Sequence, residues 1–147
     1  MLSEFSSRGF VVRAFYYTVV REDGEFTTLR PLLDWLDYNG FTVRTKPAKE
    51  FDDGHGRRKI RRSMGVELAI DAIQLAKHIE HAYLFSGDGD LKRVVEAIQR
   101  LGVRVTVVSS VRSTSISDEL RRQADNIIEI ADLRSSIERT PHPIAPK

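Results

Sequence analysis

The sequence contains no cysteine among its 147 residues. That excludes a disulfide framework, a zinc–thiolate finger and a cysteine nucleophile together, and it fits a reducing compartment. Apolar runs are short, and none approaches the roughly 20 residues that a membrane-spanning helix needs. The opening Met1-Leu2-Ser3-Glu4-Phe5 lacks the charged start and apolar centre of a signal peptide. A cytoplasmic protein with no membrane association is expected. Histidine is scarce too, and His55, His78, His81 and His142 show no metal-ligand spacing. Neither sign of charge dominates, since 23 Lys and Arg stand against 21 Asp and Glu, a net charge of +2.

What is present suits one globular α/β domain. Hydrophobic residues make up 41% of the chain, enough for a real core at this length. Phe10 to Thr18 is rich in aromatic and β-branched residues and reads as a strand. Asp23-Gly24 marks a turn. Leu29, Leu32, Leu33 and Leu36 recur at helical spacing, with Thr27 or Thr28 as N-cap and Asn39-Gly40 as the stop. Phe41 to Thr45 reads as a second strand. Lys46 to Ser63 has no apolar period and reads as a long loop. Val66, Ala69, Ile70, Ile73 and Ala76 predict a helix over 66–79. Ala82 to Phe85 is a short strand, Leu91 to Leu101 a helix closed by Gly102, and Val103 to Val108 a strand buried on both faces. A Ser/Thr loop follows over 109–117, then a short helix over 118–123, a strand over 127–130 and a terminal helix over 132–139. The proline-broken 140–147 reads as a disordered tail.

Strands alternating with helices imply a mostly parallel sheet covered on both faces. Ligands of such sheets bind beyond the carboxyl ends of the strands. Ser86-Gly87-Asp88-Gly89-Asp90 lies at one such end. Its carboxylates suit Mg²⁺ or Mn²⁺, and its glycines allow a phosphate to approach the backbone. The competing reading is that Asp88 or Asp90 caps the next helix. Glu67 and Asp71 are four apart on one helix and share a face. On a largely apolar helix a buried carboxylate needs a partner, and a metal would serve. Together Glu67, Asp71, Asp88 and Asp90 are candidates for an acidic cluster around one or two divalent ions. Ser109 and its neighbours, with Ser86, are candidates for phosphate contacts, or simply loop residues. Between Arg44 and Arg62 eight basic residues face three acidic ones. Lys49, Arg57, Arg58, Lys59, Arg61 and Arg62 are the candidate RNA contacts there, with a solvated charged loop as the alternative.

Several runs resemble the LabA-like NYN family. They are Arg13-Ala14-Phe15-Tyr16-Tyr17-Thr18, Gly65-Val66-Glu67-Leu68-Ala69-Ile70-Asp71, Tyr83-Leu84-Phe85 with Ser86-Gly87-Asp88-Gly89-Asp90, Gly102-Val103-Arg104-Val105, and Asp118-Glu119-Leu120-Arg121-Arg122-Gln123-Ala124-Asp125. The resemblance implies a PIN-like (Rossmann-like) α/β/α sandwich over residues 10–139, after a short lead at 1–9. It also implies metal-dependent hydrolysis of RNA, with Asp71, Asp88 and Asp90 on the acidic positions and Glu67 on a commonly acidic one. Two departures stand out. The family's first strand, of the pattern FIDGxN, has no counterpart before Phe10, so a shortened chain with two unpaired strands is expected. Gly65 stands where relatives often have an acid. A non-catalytic RNA-binding or interaction domain is therefore the second reading, and a homodimer a possible state. A Toprim site lacks its upstream Glu-Gly. A thiamine site lacks its Asn pair. A dinucleotide site lacks its third glycine, with Val94 near that place.

Overall fold

The structure, a computed structural model, describes residues 2–20, 25–52, 54–56, 58–61, 63–112 and 115–134. The chain divides into two compact units: Met1–Phe10 with Glu80–Lys147, and Val11–Ile79.

In the first unit, helix α1 (Leu2–Ser6) comes before the chain passes through the second unit. After it come strand β5 (His81–Phe85), helix α4 (Lys92–Arg100), strand β6 (Arg104–Ser109), helix α5 (Asp118–Gln123) and strand β7 (Asn126–Glu129). The three strands form one parallel sheet in the order β5-β6-β7. Strand β6 is central and apolar, so both faces are covered, as its composition predicts. Val105 and Val107 are fully buried and Val108 nearly so. Leu91, Val95 and Ile98 recur at helical spacing and supply the buried stripe at α4, and Leu120 supplies that of α5. Gly102 ends α4 with φ +89°, a conformation in which a side chain is strained.

Two local devices fix this unit. The Ser117 hydroxyl accepts the Leu120 N–H as the N-cap of α5. The Asp125 carboxylate accepts the Val105 N–H at 2.8 Å, at the entry to β6. The N-terminal lead contains a short helix rather than irregular chain. Its Phe5 is buried, with its ring 4.7 Å from Tyr83 and 5.6 Å from Phe85.

In the second unit, strand β1 (Ala14–Val20) pairs in parallel with β2 (Phe41–Pro47), and helix α2 (Glu25–Tyr38) connects them. Leu33 and Leu36 of the leucine stripe are buried, whereas Trp35 and Tyr38 are exposed. Residues 46–63 do not form the loop expected. They contain an antiparallel hairpin of β3 (Lys49–Asp52) and β4 (Arg58–Arg61), with Lys49 opposite Arg61 and Asp52 opposite Arg58. Helix α3 (Gly65–Leu75) follows and continues as a 3-10 turn over Ala76–His78.

The parallel α/β fold expected from the sequence is present, its strands divided between two sheets and a hairpin. Among the described residues, β1 pairs only with β2, and β5 only with β6. The turn at 21–24, the residues 135–139 of the expected terminal helix and the tail at 140–147 lie outside the described residues.

Candidate functional site

The candidate site residues fall in both units, and each unit is built differently. In the first, Ser86-Gly87-Asp88-Gly89-Asp90 leaves the carboxyl end of β5. The strand register sets Phe85 beside Val108, so Ser109 leaves the neighbouring strand at the same end. This is where ligands of parallel sheets bind. Asp88 and Asp90 are both exposed. Asp88 Oδ1 accepts the Asp90 N–H at 2.9 Å and caps the 3-10 turn Gly89–Leu91. One Asp88 oxygen is thus committed to the turn, as the capping alternative anticipates. The Ser86 hydroxyl accepts the Asp88 N–H at 3.2 Å, which completes a locally bonded loop. The Asp90 carboxylate itself makes no hydrogen bond or ion pair to a described residue.

The glycines serve the chain's own packing. A Cβ on Gly87 would stand 2.0 Å from the Ser115 carbonyl oxygen, and one on Gly89 would stand 2.9 Å from the Ser117 hydroxyl. Gly87 also accepts the Ser117 N–H at 2.9 Å. The loop after β5 is therefore fastened to the loop before α5, with no room for a side chain between them. Ser109 is buried, and its hydroxyl lies 3.4 Å from that of Ser115. Glu129 holds the same loop from β7 by accepting the N–H groups of Val111 and Arg112.

In the second unit the two α3 carboxylates already have cations. Asp71 is buried. Arg44 forks onto it, Nη2 to Oδ1 and Nε to Oδ2, each at 3.2 Å. The Tyr17 hydroxyl donates to Oδ2 at 2.8 Å. Burial first, and the nearby carboxylate second, push the Tyr17 phenol well above its ordinary range. Glu67 pairs with Lys46 at 3.0 Å. Its carboxyl lies below the ordinary range, held there first by its own backbone N–H and then by the Lys46 ammonium. The second Glu67 oxygen, Oε2, is enclosed and has no hydrogen-bond partner among the described residues. A cavity of about 290 Å³ lined by Tyr17, Thr18, Val19 and Met64 adjoins this network.

Helix α3 is turned opposite to what its apolar pattern suggests. Val66, Ile70 and Ile73 are exposed to 68%, 52% and 46%, while Asp71 faces inward. The buried carboxylate does need a partner, and the protein supplies Arg44 and Tyr17. These two residues, with Lys46, are the ones the sequence pattern passes over. The signal that finds them is a match of spacings. Basic residues two apart on a strand share a face, as do acidic residues four apart on a helix.

As oxygen donors the four carboxylates suit Mg²⁺ or Mn²⁺. Asp90 and the orphaned Glu67 Oε2 have capacity to spare, whereas Asp71 must first exchange its cation. Within either unit, no three Asp, Glu or His side chains among the described residues gather as an ion-holding group. Of the basic candidates, Arg57 and Arg62 lie outside the described residues. Lys49, Arg58, Lys59 and Arg61 have their backbones in the hairpin, and their side chains lie outside the description. No helix among the described residues is long and apolar enough to cross a membrane.

Comparison with known proteins adds an independent line. The NYN domain family model matches residues 1–132. The chain is 35% identical to the low amplitude and bright protein LabA of Synechococcus elongatus, across 97% of this chain and 76% of that protein. Among solved structures it is similar to a protein of unknown function from Vibrio parahaemolyticus. That match has a TM-score of 0.68 and 31% identity, over 86% of this chain and 73% of the other.

Proposed function

The chain belongs to the NYN domain family, and from that premise we propose that it is a metal-dependent ribonuclease hydrolysing phosphodiester bonds of RNA. One observation carries the reading most directly. The exposed Asp88 and Asp90 leave the carboxyl end of β5 beside Ser109, the end of a parallel sheet at which this fold class binds its ligands. In this reading Asp90, with the uncommitted oxygen of Asp88, holds Mg²⁺ or Mn²⁺, as do Glu67 and Asp71 in the other unit. Such an ion, when bound, lowers the pKa of its water and screens phosphoryl oxygens. The chain's own part is to fix the carboxylates: Asp88 through the capped turn, and the whole loop through the Gly87–Ser117 contact. In this reading Ser86 offers a hydroxyl to phosphate at the end of β5, whereas the hydroxyl of the buried Ser109 faces Ser115 and shapes the loop rather than meeting the ligand. The basic run from Lys49 to Arg62 steers the polyanion by long-range attraction, and RNA in the cytoplasm is the partner it fits.

The experiment is cleavage of labelled single-stranded RNA with and without Mn²⁺. Metal-dependent cleavage that disappears in Asp88→Asn with Asp90→Asn is expected. Cleavage that persists in that double variant overturns the assignment.

One observation favours a second reading, an RNA-binding domain without hydrolysis. Asp71 and Glu67 are already neutralised by Arg44 and Lys46, and Asp88 is engaged as a cap. RNA affinity that falls steeply with salt, survives loss of Asp88 and Asp90, and is accompanied by no cleavage would select it.

A further inference from the structure

The charges on β2 and α3 match in register. Arg44 and Lys46 are two apart on a strand, and Glu67 and Asp71 are four apart on a helix, so each pair shares one face. Arg44 meets Asp71 at 3.2 Å and Lys46 meets Glu67 at 3.0 Å. In the first pair burial is unequal: the Asp71 side chain is 10% exposed and that of Arg44 is 50%. In the second pair Lys46 is 37% exposed and Glu67 is 33%, with one Glu67 oxygen enclosed and unpartnered among the described residues. Lys46 also donates to the Ser63 carbonyl. Water therefore reaches the Arg44 side chain with Asp71 buried behind it, and reaches Lys46 and Glu67 about equally, while each carboxylate has its cation supplied by the protein.

We propose that Arg44 and Lys46 are an exchange pair for a phosphodiester backbone, whose release of Asp71 and Glu67 opens those carboxylates to a divalent cation. A guanidinium fork fits phosphate as well as it fits carboxylate. When phosphate oxygens take the two cations, the buried Asp71 is left with an uncompensated charge, which is costly. A divalent ion then replaces what was removed. Conversely, an ion on Asp71 and Glu67 frees Arg44 and Lys46 for phosphate. Phosphodiester and metal therefore bind with positive coupling, and by linkage the factor is the same in both directions. This deepens the ribonuclease reading and rests on its assignment of Asp71 and Glu67 as ion ligands.

The test measures Mn²⁺ affinity from the free-ion electron paramagnetic resonance signal, with and without a short single-stranded deoxyoligonucleotide as an uncleaved phosphodiester. Binding of Mn²⁺ to the oligonucleotide alone is subtracted. Fluorescence anisotropy gives the reciprocal measurement. In the wild-type chain the oligonucleotide is expected to tighten Mn²⁺ binding about tenfold, and Mn²⁺ to tighten the oligonucleotide by the same factor. Arg44→Gln with Lys46→Gln is expected to bind Mn²⁺ more tightly than wild type when no oligonucleotide is present, and to lose the coupling. Mn²⁺ affinity indifferent to the oligonucleotide in the wild-type chain overturns the proposal without reliance on any variant. Coupling that persists in the double variant overturns it too. Coupling without RNA cleavage keeps this inference and removes hydrolysis, whereas cleavage without coupling does the reverse.

Discussion

In the unit formed by residues 80–147 with the N-terminal helix, apolar side chains occupy the buried places and carboxylates stay at the rim. Val95, Val105, Val107 and Leu120 are all but inaccessible, while Asp88 and Asp90 are exposed at the end of β5. In the unit formed by residues 11–79 this arrangement is inverted along α3. Asp71 takes the inward place, and Val66, Ile70 and Ile73 face out. The first unit gains its stability from area removed from water, which needs no direction. The second orients its helix by directional pairing, with a guanidinium fork and a phenol fixing one carboxylate and an ammonium fixing the next. A buried charge tolerates only a few orientations of its partner, so α3 is set by Arg44 and Tyr17 at the cost of leaving isoleucines wet.

If the apolar unit is held by burial, the loss of one core side chain is the most damaging change in the molecule. Leu120→Ala is expected to destabilise by about 3 kcal/mol, the transfer term plus the cavity left behind, read as a lower urea midpoint at unchanged slope. A loss below about 1 kcal/mol would mean that burial at Leu120 is not what holds this unit. Next in size is Asp71→Asn, which keeps the shape and removes the charge. About 1–2 kcal/mol is expected, less than for a fully buried ion pair because Arg44 is half exposed and partly solvated. Tyr17→Phe, which removes one hydrogen bond from the same carboxylate, should cost about 1 kcal/mol. If neither change moves the unfolding midpoint, directional pairing does not orient α3.

Legibility follows the same divide. The first unit was largely readable because its information is local. Val103 to Val108 announced a strand buried on both faces, found one residue later at Arg104–Ser109, while Gly102 as the stop before it and Asp118 to Gln123 as the short helix are as found. SGDGD was readable as a strand-end loop, but the demand on Gly87 came from Ser115, far along the chain. In the second unit the helices α2 and α3 were readable from their spacing, whereas the outward face of α3 was not. Its cause lies on β2, 27 residues before Asp71, and no periodicity within 66–79 encodes it. The β3–β4 hairpin was hidden because Lys49–Asp52 and Arg58–Arg61 carry mostly charged residues and show no apolar alternation. Gly54 and Gly56, both at positive φ between the strands, were its one local signal. Helix α1 was missed because a single buried Phe5 in a polar segment gives no period to read.

A smaller effect tests whether charge also matters at the rim of the apolar unit. Asp125 accepts the Val105 N–H and a Gln99 amide, and these two bonds, in that order, hold its carboxyl below the ordinary 3.8. A carboxyl lowered in the folded state adds stability that is complete above its unfolded pKa and lost as pH falls through the folded one. Stability is therefore expected to decline below about pH 4. Asp125→Asn should flatten that acid limb while leaving the relative change above it constant. An acid limb that is identical in Asp125→Asn would assign the decline to other carboxyls.

The smallest expected effect is the sharpest on the inverted helix. If Ile70 is outward because Asp71 is held inward, its side chain contributes little burial, and Ile70→Gln should change stability by no more than about 0.5 kcal/mol. The corresponding change at Val95, 1% exposed on α4, should cost several times as much, since it puts an amide where no partner waits. Equal losses at the two positions, measured by urea unfolding, would mean that Ile70 is a core residue and that the two units share one logic of burial. A near-zero change at Ile70 that becomes a gain when Asp71 is replaced by Leu would go further. With the carboxylate gone, nothing but apolar area would choose the face, and α3 would be free to turn its isoleucines inward.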